Sequence, residues 1–316
     1  MLFVLFFLRD MVKPTIINFP KIIDRRGNLS FIEEQTHVPF RMACCYWIYD
    51  VPGGEQRTGR SLRGRQELVV ALSGSFDVLL CHGGEELTFH LNRSYYGVYV
   101  PAGWERKMDN FSTNSVALVV EGEENAQPSD LSQPADLSQT SDLSQPSDLS
   151  QPSDISQPSE HREAVAGRHS VYDCTLVSLG RHERNTGNIS VVESSQTVPF
   201  RVRRSYYLYD VPGGVSRGGH AHKRLSQLIV AVSGSFAVTL DDGSVKRTFI
   251  LNRPYQGLLI APGIWRELDD FSSGSVCLAL ASEKYDEADY IRSYRDFLDY
   301  RGVRKSSDSD YDSLWK

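Results

Sequence analysis

The stretch SQLIVAVSGSFAVTLDDGSVKRTFILN (Ser226–Asn252) decides the predicted fold. It contains two apolar runs rich in β-branched residues, separated by the turn sequence Asp-Asp-Gly. Such runs on either side of an Asp-Gly turn predict a β-hairpin. Further short apolar runs, GLLIAPGIW and SVCLALAS, follow with glycine, proline and serine between them. The sequence therefore predicts an all-β domain, either a sandwich or a small barrel.

The chain of 316 residues contains this domain twice. VPFRMACCYWIYDVPGG (38–54) matches VPFRVRRSYYLYDVPGG (198–214), and the SGSF turn repeats at the same offset of 160 positions. This period is too long for a solenoid. It predicts two tandem copies of one domain, the first over residues 12–122 and the second over residues 167–303.

Residues 123–166 separate the copies and consist mainly of a hexapeptide repeat of Gln, Pro, Ser and Asp. Proline removes ladder donors, and one aliphatic residue in each repeat is too few for a core, so the segment predicts a disordered linker. A coil of that length allows the two domains to pair within one chain.

The ends of the chain carry two further predicted segments, an N-terminal extension (1–11) and a C-terminal tail (304–316). The apolar run Leu2–Leu8 has no basic segment before it and no cleavage site after it, which favours an upstream extension or a misassigned start over a membrane tether. Before the tail, the aromatic and aliphatic spacing of YDEADYIRSYRDFLDY (Tyr285–Tyr300) predicts a closing amphipathic helix that the first copy lacks.

The composition excludes several classes of protein. The formal net charge is −6 and lysines and arginines form no dense cluster, which argues against a nucleic-acid or membrane-surface partner. The five cysteines are odd in number and have no CxxC spacing, which is typical of a reduced, cytoplasmic setting.

The motif RGGHAHK of the second copy is the main candidate for chemistry. His220 and His222 are two residues apart, so in a strand both side chains face the same side, toward the barrel interior. The motif resembles the first motif of the cupins, whose metal-binding members add a Glu and a distant His to such a pair. Here Ser226 and Gln227 stand in the region of the Glu, and Arg266 stands in place of the distant His. Two imidazoles beside a guanidinium make a poor metal site, since such sites usually have three protein ligands. The pair is better suited to proton transfer. We expect no metal and no cofactor.

The second copy resembles the metal-independent cupin isomerases that act on dTDP-4-oxo-6-deoxyglucose. The resemblance extends over most of residues 172–301 and is carried by VPFRVRRSYYLYDVPGG, RGGHAHKRLSQ, SGSFAVTLDDG and the segment from APGIWRELDD to YIRSYRDF. It implies a jelly-roll barrel and a 3,4-ketoisomerase that supplies deoxyamino sugars for surface glycans such as lipopolysaccharide. The implied partner is a dTDP-linked sugar. The resemblance leaves the configuration of the product at C4 open.

The resemblance also assigns residues. His220, His222 and Tyr206 fall on the catalytic positions, and Arg217 falls on a position that meets the nucleotide diphosphate. Lys223 and Gln227 lie in the same stretch and are expected to bind substrate.

The first copy resembles the same family but departs at its chemistry. Arg60 and Leu62 replace the two histidines, whereas Arg26 is present in IIDRRGNLS and Thr186 replaces it in the second copy. Members of the family resemble dimers that exchange their first strands. An exchange within this chain predicts an intrachain pseudo-dimer in which Arg26 completes the second-copy site; further oligomerisation stays open.

Two other interpretations of the chain remain open. In the first, the first copy is only a scaffold and contributes nothing to the site. In the second, the protein is a non-catalytic cupin that binds a nucleotide sugar.

Overall fold

The structure is a computed structural model that describes residues 13–58, 65–122 and 169–303. The predicted extension (1–11), linker (123–166) and tail (304–316) lie outside the described residues, as do Arg60 and Leu62. The described parts of both copies belong to one compact unit.

The described part of the first copy is built of strands, many of which alternate between buried and exposed residues. Strands β6 and β11 are instead mostly apolar and have buried residues on both faces, because each lies inside a sheet that is covered on both sides. Their bounds are β1 (Thr15–Asn18), β2 (Lys21–Ile22), β3 (Asn28–Glu33), β4 (Met42–Tyr49), β5 (Arg57–Thr58), β6 (Glu67–Ser73), β7 (Phe76–His82), β8 (Glu85–Leu91), β9 (Tyr96–Val100), β10 (Glu105–Asp109) and β11 (Val116–Gly122).

The second copy repeats this order and adds a C-terminal strand and helix. The predicted hairpin is confirmed, since β18 and β19 pair across the Asp241–Gly243 turn region. The bounds are β12 (Thr175–Ser178), β13 (Gly180–Arg184), β14 (Gly187–Glu193), β15 (Arg204–Tyr209), β16 (Arg217–His222), β17 (Gln227–Ser233), β18 (Phe236–Asp241), β19 (Lys246–Leu251), β20 (Gln256–Ile260), β21 (Trp265–Asp269), β22 (Val276–Ala281), β23 (Tyr290–Ile291) and α1 (Tyr294–Arg301), with 3-10 turns at Val171–Asp173 and Glu287–Asp289.

The strands form two double-sheet sandwiches, which confirms the predicted all-β jelly-roll architecture. One sandwich packs the sheet β1-β9-β6-β11-β4-β14-β13 on the sheet β5-β10-β7-β8. The other packs β12-β20-β17-β22-β15-β3-β2 on β19-β18-β21-β16-β23. The described strand pairs in both are antiparallel, as expected for strands joined by hairpins and Greek-key connections.

Each large sheet contains a hairpin from the other copy. Strand β3 pairs with β15 of the second copy, with Ser30 opposite Tyr207. Strand β14 pairs with β4 of the first copy, with Ser190 opposite Trp47. The strand exchange inferred from the resemblance is therefore present in the fold, and it brings the loop before β3 to the second sandwich.

The interface between the two sandwiches is hydrophobic and nearly two-fold symmetric. Ile32 is fully buried there. Burying one such side chain, relative to leaving it exposed to water, stabilises the fold by about 1.5–3 kcal/mol. The Trp47 indole donates to the carbonyl of Pro254 at 2.7 Å, and the Tyr207 hydroxyl donates to the carbonyl of Ser94. Because these contacts are equivalent under the sequence repeat, the two copies associate through the same surface.

The predicted helix over Tyr285–Tyr300 is wrong in its first half, because only Tyr294–Arg301 is helical. Upstream, Tyr290 and Ile291 instead pair with the end of β16, opposite His222 and Ala221. Ser293 then caps the helix, its hydroxyl accepting from the amide of Asp296. Backbone pairing with an exposed sheet edge prevails over the helical spacing of the side chains.

Candidate active site

A cavity of about 500 Å³ lies at the second sandwich and is lined by both copies. The first copy contributes the residues of the exchanged hairpin, and the second contributes strands β15, β16 and β21 and the segment before α1. Five of the described lining residues are arginines and none is acidic, so the cavity is suited to an anionic ligand. The lining residues are Ile22, Arg26, Leu29, Phe31, Arg204, Tyr206, Leu208, Arg217, Gly218, Gly219, His220, Arg266, Tyr285, Tyr290 and Arg292.

The two histidines of the HAH motif lie together at the end of β16, as their spacing predicts. Their ring centroids are 4.9 Å apart in an edge-to-face arrangement. His220 lines the cavity, whereas His222 is only 3% exposed and lies behind it. The ring of Tyr290 covers both, with centroids 5.0 Å from His220 and 4.3 Å from His222.

Each imidazole has a partner that fixes its orientation. The Arg266 guanidinium is 3.1 Å from Nε2 of His220, so that nitrogen accepts and the proton lies on Nδ1. Nδ1 of His222 is 3.1 Å from the Asp289 carboxylate and donates to it. Nε2 of His222 is buried without a hydrogen-bond partner among the described residues.

Burial keeps both imidazoles uncharged at neutral pH. It lowers the pKa of His220 well below its usual value, and the neighbouring charge of Arg266 lowers it further. Burial lowers the pKa of His222 to about 4, although the hydrogen bond to Asp289 acts in the opposite direction. Although burial alone would raise the pKa of Asp289, the hydrogen bond from His222 helps to keep it below the usual carboxyl value. Uncharged imidazoles can act as bases.

Tyr206 joins the same network. Its hydroxyl accepts from Arg266 at 3.0 Å and donates to Oε1 of Gln227 at 2.6 Å. Burial raises the pKa of the phenol, so the hydroxyl keeps its proton at neutral pH. The network therefore places an uncharged base and a protonated acid beside one guanidinium.

Arg26 and Arg217 meet at the mouth of the cavity, one from each copy. Nη1 of Arg217 donates to the carbonyl of Gly27 at 2.8 Å, and Arg26 pairs with Asp24 at 2.8 Å. The hydrogen bonds from Arg26 lower the pKa of Asp24. Gly27 has a φ of +110°, and a Cβ there would lie 2.7 Å from Val211, so this approach of the two copies requires glycine.

Two predicted substrate-binding residues do not line the cavity. The Lys223 ammonium donates to the carbonyl of Ala288 at 2.7 Å and so secures the segment that carries Asp289. Gln227 is 2% exposed and contacts the cavity only through Tyr206.

The sequence did not predict Asp289 or Tyr290 as site residues. It pointed to Arg266 only as the residue that stands in place of a metal-binding histidine. The predicted helix concealed Asp289 and Tyr290, because their contacts depend on the pairing of β23 with β16. Arg204, also missed, donates to the Tyr290 hydroxyl at 3.1 Å. Arg204 and Arg266 could have been predicted, because each is a basic residue at an inward-facing position of a predicted strand.

The equivalent region of the first sandwich differs in its polar groups. Arg57, the counterpart of Arg217, donates to the hydroxyl of Thr186 at 2.7 Å and to the carbonyl of Gly187 at 3.1 Å. Arg106 pairs with Glu67 at 2.6 Å. The charge of the interior Arg106 in the first sandwich is therefore neutralised by the carboxylate of Glu67.

Within the described residues, no group of three or more His, Cys, Asp or Glu side chains could hold a metal ion. No helix in the described part of the chain is long and apolar enough to cross a membrane.

Comparison with known proteins agrees with the resemblance. The family model described as FdtA: WxcM-like, C-terminal, matches residues 12–130 and 172–302. The TDP-4-oxo-6-deoxy-alpha-D-glucose-3,4-oxoisomerase of Aneurinibacillus thermoaerophilus is 44% identical over 114 residues, which are 36% of this chain and 82% of that protein.

Two solved structures are also similar. A 3,4-ketoisomerase from Helicobacter canadensis is 38% identical over 41% of this chain and 98% of its own, with a TM-score of 0.41. A mutant of the 3,4-ketoisomerase QdtA from Thermoanaerobacterium thermosaccharolyticum, in complex with TDP-4-keto-6-deoxyglucose, is 36% identical over 43% of this chain and 98% of its own, with a TM-score of 0.42.

Proposed function

The chain belongs to the FdtA family, and from that premise we propose that it is a 3,4-ketoisomerase of dTDP-4-oxo-6-deoxyglucose. The observation that carries the proposal is the cavity that unites His220, Tyr206 and five arginines. The relative named as a TDP-4-oxo-6-deoxy-alpha-D-glucose-3,4-oxoisomerase, 44% identical over 114 residues, supports the same substrate. The proposed product is the 3-oxo sugar, an intermediate toward the deoxyamino sugars of surface glycans, and the proposed setting is the cytoplasm.

The proposed reaction is an internal redox change that needs no cofactor. The C4 carbonyl acidifies the proton on C3, and a base removes that proton to give an enediolate. The C3 hydroxyl then loses its proton, and protons are added at C4 and at the C4 oxygen, which gives the 3-oxo sugar. Carbon, oxygen and hydrogen all balance without an external oxidant, and a positioned acid or base contributes roughly 10²–10⁴-fold.

We assign the base to Nε2 of His220, because the residue lines the cavity and burial keeps it uncharged. For Nε2 to take the proton, the hydrogen bond that Arg266 donates to it passes to the substrate oxygen. His222, held by Asp289, is the proposed second imidazole of a proton relay. The protonated phenol of Tyr206 is the proposed acid, since it lines the same cavity and shares the Arg266 guanidinium with His220. To protonate the substrate, its hydroxyl turns away from Gln227, to which it donates in this structure. Arg217 and Arg26 at the mouth are the proposed ligands of the nucleotide diphosphate.

We further propose that the chain acts as an intrachain pseudo-dimer with one composite site. The domains are residues 12–122 and 167–303. Four cavity-lining residues come from the first copy, which supports this proposal. The second site of the pseudo-dimer, with Thr186 at its mouth and Arg60 and Leu62 in place of the histidines, is proposed to be inactive.

The test is incubation of the full chain with dTDP-4-oxo-6-deoxyglucose in D₂O, followed by NMR. The proposal predicts a 3-oxo product and deuterium at the carbon that receives the proton. Tight binding of the nucleotide sugar with neither product nor exchange at C3 would instead identify a non-catalytic binding protein.

A further inference from the structure

The two sandwiches contain the same tyrosine–arginine pair but compensate its charge differently. In the first, Arg106 donates from Nε to Glu67 at 2.6 Å and from Nη2 to Tyr46 at 2.7 Å. Both charged residues are less than a tenth exposed, so the pair is a buried, neutralised unit. This arrangement satisfies the guanidinium and leaves no net charge.

In the second sandwich, Tyr206 and Arg266 occupy the equivalent positions, and Gln227 replaces the glutamate. The amide of Gln227 accepts from Tyr206 at 2.6 Å and cannot neutralise a cation. Nε of Arg266 is buried without a hydrogen-bond partner among the described residues. A buried cation without a counter-ion is unfavourable unless an anion from elsewhere completes it.

We propose that Gln227 is a positioning residue whose neutrality leaves the charge of Arg266 available to the cavity, where it stabilises the enediolate. This inference rests on the proposed function. The guanidinium lines the cavity and contacts both His220 and Tyr206, so the oxygen that becomes negative forms beside it. A preorganised charge in a buried site stabilises such an oxyanion strongly.

The same charge keeps His220 unprotonated. The groups that act on His220 are Arg266 on β21, His222 on β16, Tyr290 on β23, Arg204 on β15 and Arg292 beyond β23. Tyr206 on β15 is linked to it through Arg266. Asp289, hydrogen-bonded to His222, is the nearby carboxylate of this set. A second carboxylate at position 227 would favour the imidazolium form of His220 and remove the free base.

The test is Gln227→Glu in the full chain, which recreates the charge arrangement of the first sandwich. We expect kcat to fall roughly 10²-fold, the usual effect of losing one oxyanion-stabilising group. The acid limb of the pH profile should move to higher pH, because the new carboxylate raises the pKa of His220. The control Gln227→Met removes the hydrogen bond to Tyr206 without adding charge, and should lose less activity and keep the wild-type pH profile.

Two results would overturn the proposal: unchanged kcat and pH profile in Gln227→Glu, or an equal loss in Gln227→Met. If Gln227→Glu does not fold, Arg266→Gln replaces it, with the same expected fall in kcat and rise in the pKa of His220. Titration of His220 by ¹⁵N NMR measures the second effect without turnover. This titration therefore tests the inference about Gln227 independently of turnover. Failure of the proposed isomerase would instead be shown by an inactive wild type.

Discussion

The two sandwiches share their strands, their interface and an interior tyrosine–arginine pair, but they differ in the polar groups that surround that pair and the mouth of the cavity. At the mouth of the second, Asp24 lies beside Arg26 and Arg217. Arg184 occupies the place of Asp24 in the first, and burial together with the charge of Arg184 lowers the pKa of Arg57 there. The apolar positions that hold the sheets together are therefore retained in both, whereas the charge pattern of the described residues at the mouth differs between them.

This comparison also shows how the exchange distributes the site. Each large sheet includes a hairpin from the other copy, so a change in the first copy acts on the second cavity. The first copy lacks both histidines in its sequence but still supplies residues that line the second cavity.

The largest expected effect comes from the histidines themselves. His220→Asn should lower kcat by about 10²–10⁴-fold, because the residue that lines the cavity no longer accepts a proton. His222→Asn should act in the same range if the relay is correct. The measurement is turnover of the 4-oxo sugar by NMR, with circular dichroism as the control for folding. A tenfold or smaller loss in both variants would show that neither imidazole carries the proton.

A smaller effect is expected at Asp289, which contacts His222 but does not line the cavity. Asp289→Asn should lower kcat roughly 10–10²-fold, less than loss of a group that itself transfers a proton. The physical reason is that an amide can donate to Nδ1 and stabilise the wrong tautomer. ¹⁵N NMR should show a proton on Nδ1 of His222 in the wild type and loss of that preference in the variant. An unchanged tautomer together with unchanged kcat would exclude this positioning role.

Stability should depend on pH through the buried His222. Its pKa is about 4 in the folded state against 6.5 unfolded. Between these values the unfolded state binds more protons, so the free energy of unfolding falls as pH falls, by up to about 1.4 kcal/mol per unit. Urea denaturation of wild type and His222→Asn, from about pH 7 down to about pH 4.5, measures the difference. Parallel curves for the two proteins would contradict the buried, neutral assignment.

The smallest effect is expected from metal removal. Gln227 and Arg266 stand where a metal-binding cupin has its further ligands, and the proposed proton transfer needs no metal. Turnover after treatment with EDTA should equal that of the untreated protein. Loss of activity that returns with iron, manganese or zinc would contradict the acid–base assignment.

Local sequence patterns were sufficient to predict much of the fold. The Asp-Gly turn predicted the hairpin of β18 and β19, the repeat predicted two equivalent domains, and the spacing of His220 and His222 predicted a shared face. Alignment of the two copies showed Arg26 in the first and Thr186 at the equivalent position of the second, which led to the prediction that Arg26 completes the second-copy site. Each of these signals depends on neighbouring residues or on the alignment of one copy with the other.

The remainder of the site depends on tertiary register, which the pattern does not encode. Tyr290 lies over both histidines because β23 pairs with the free edge of β16, and its sequence instead suggested a helix. Lys223 looked like a ligand because it follows the motif, yet its side chain turns to the carbonyl of Ala288. Edge pairing and side-chain direction of this kind are set by the assembled sheet.

The composite site is tested most directly by Arg26→Ala in the full chain, with Thr186→Ala as its matched control at the equivalent position of the other copy. One charge-assisted hydrogen bond contributes about 1.5–3 kcal/mol, so the account predicts a roughly 10- to 150-fold fall in kcat/KM for Arg26→Ala. Thr186→Ala should leave kcat/KM close to that of the wild type, since its side chain contacts Arg57 of the other sandwich. Equal, small effects of both substitutions would show that the first copy is only a scaffold.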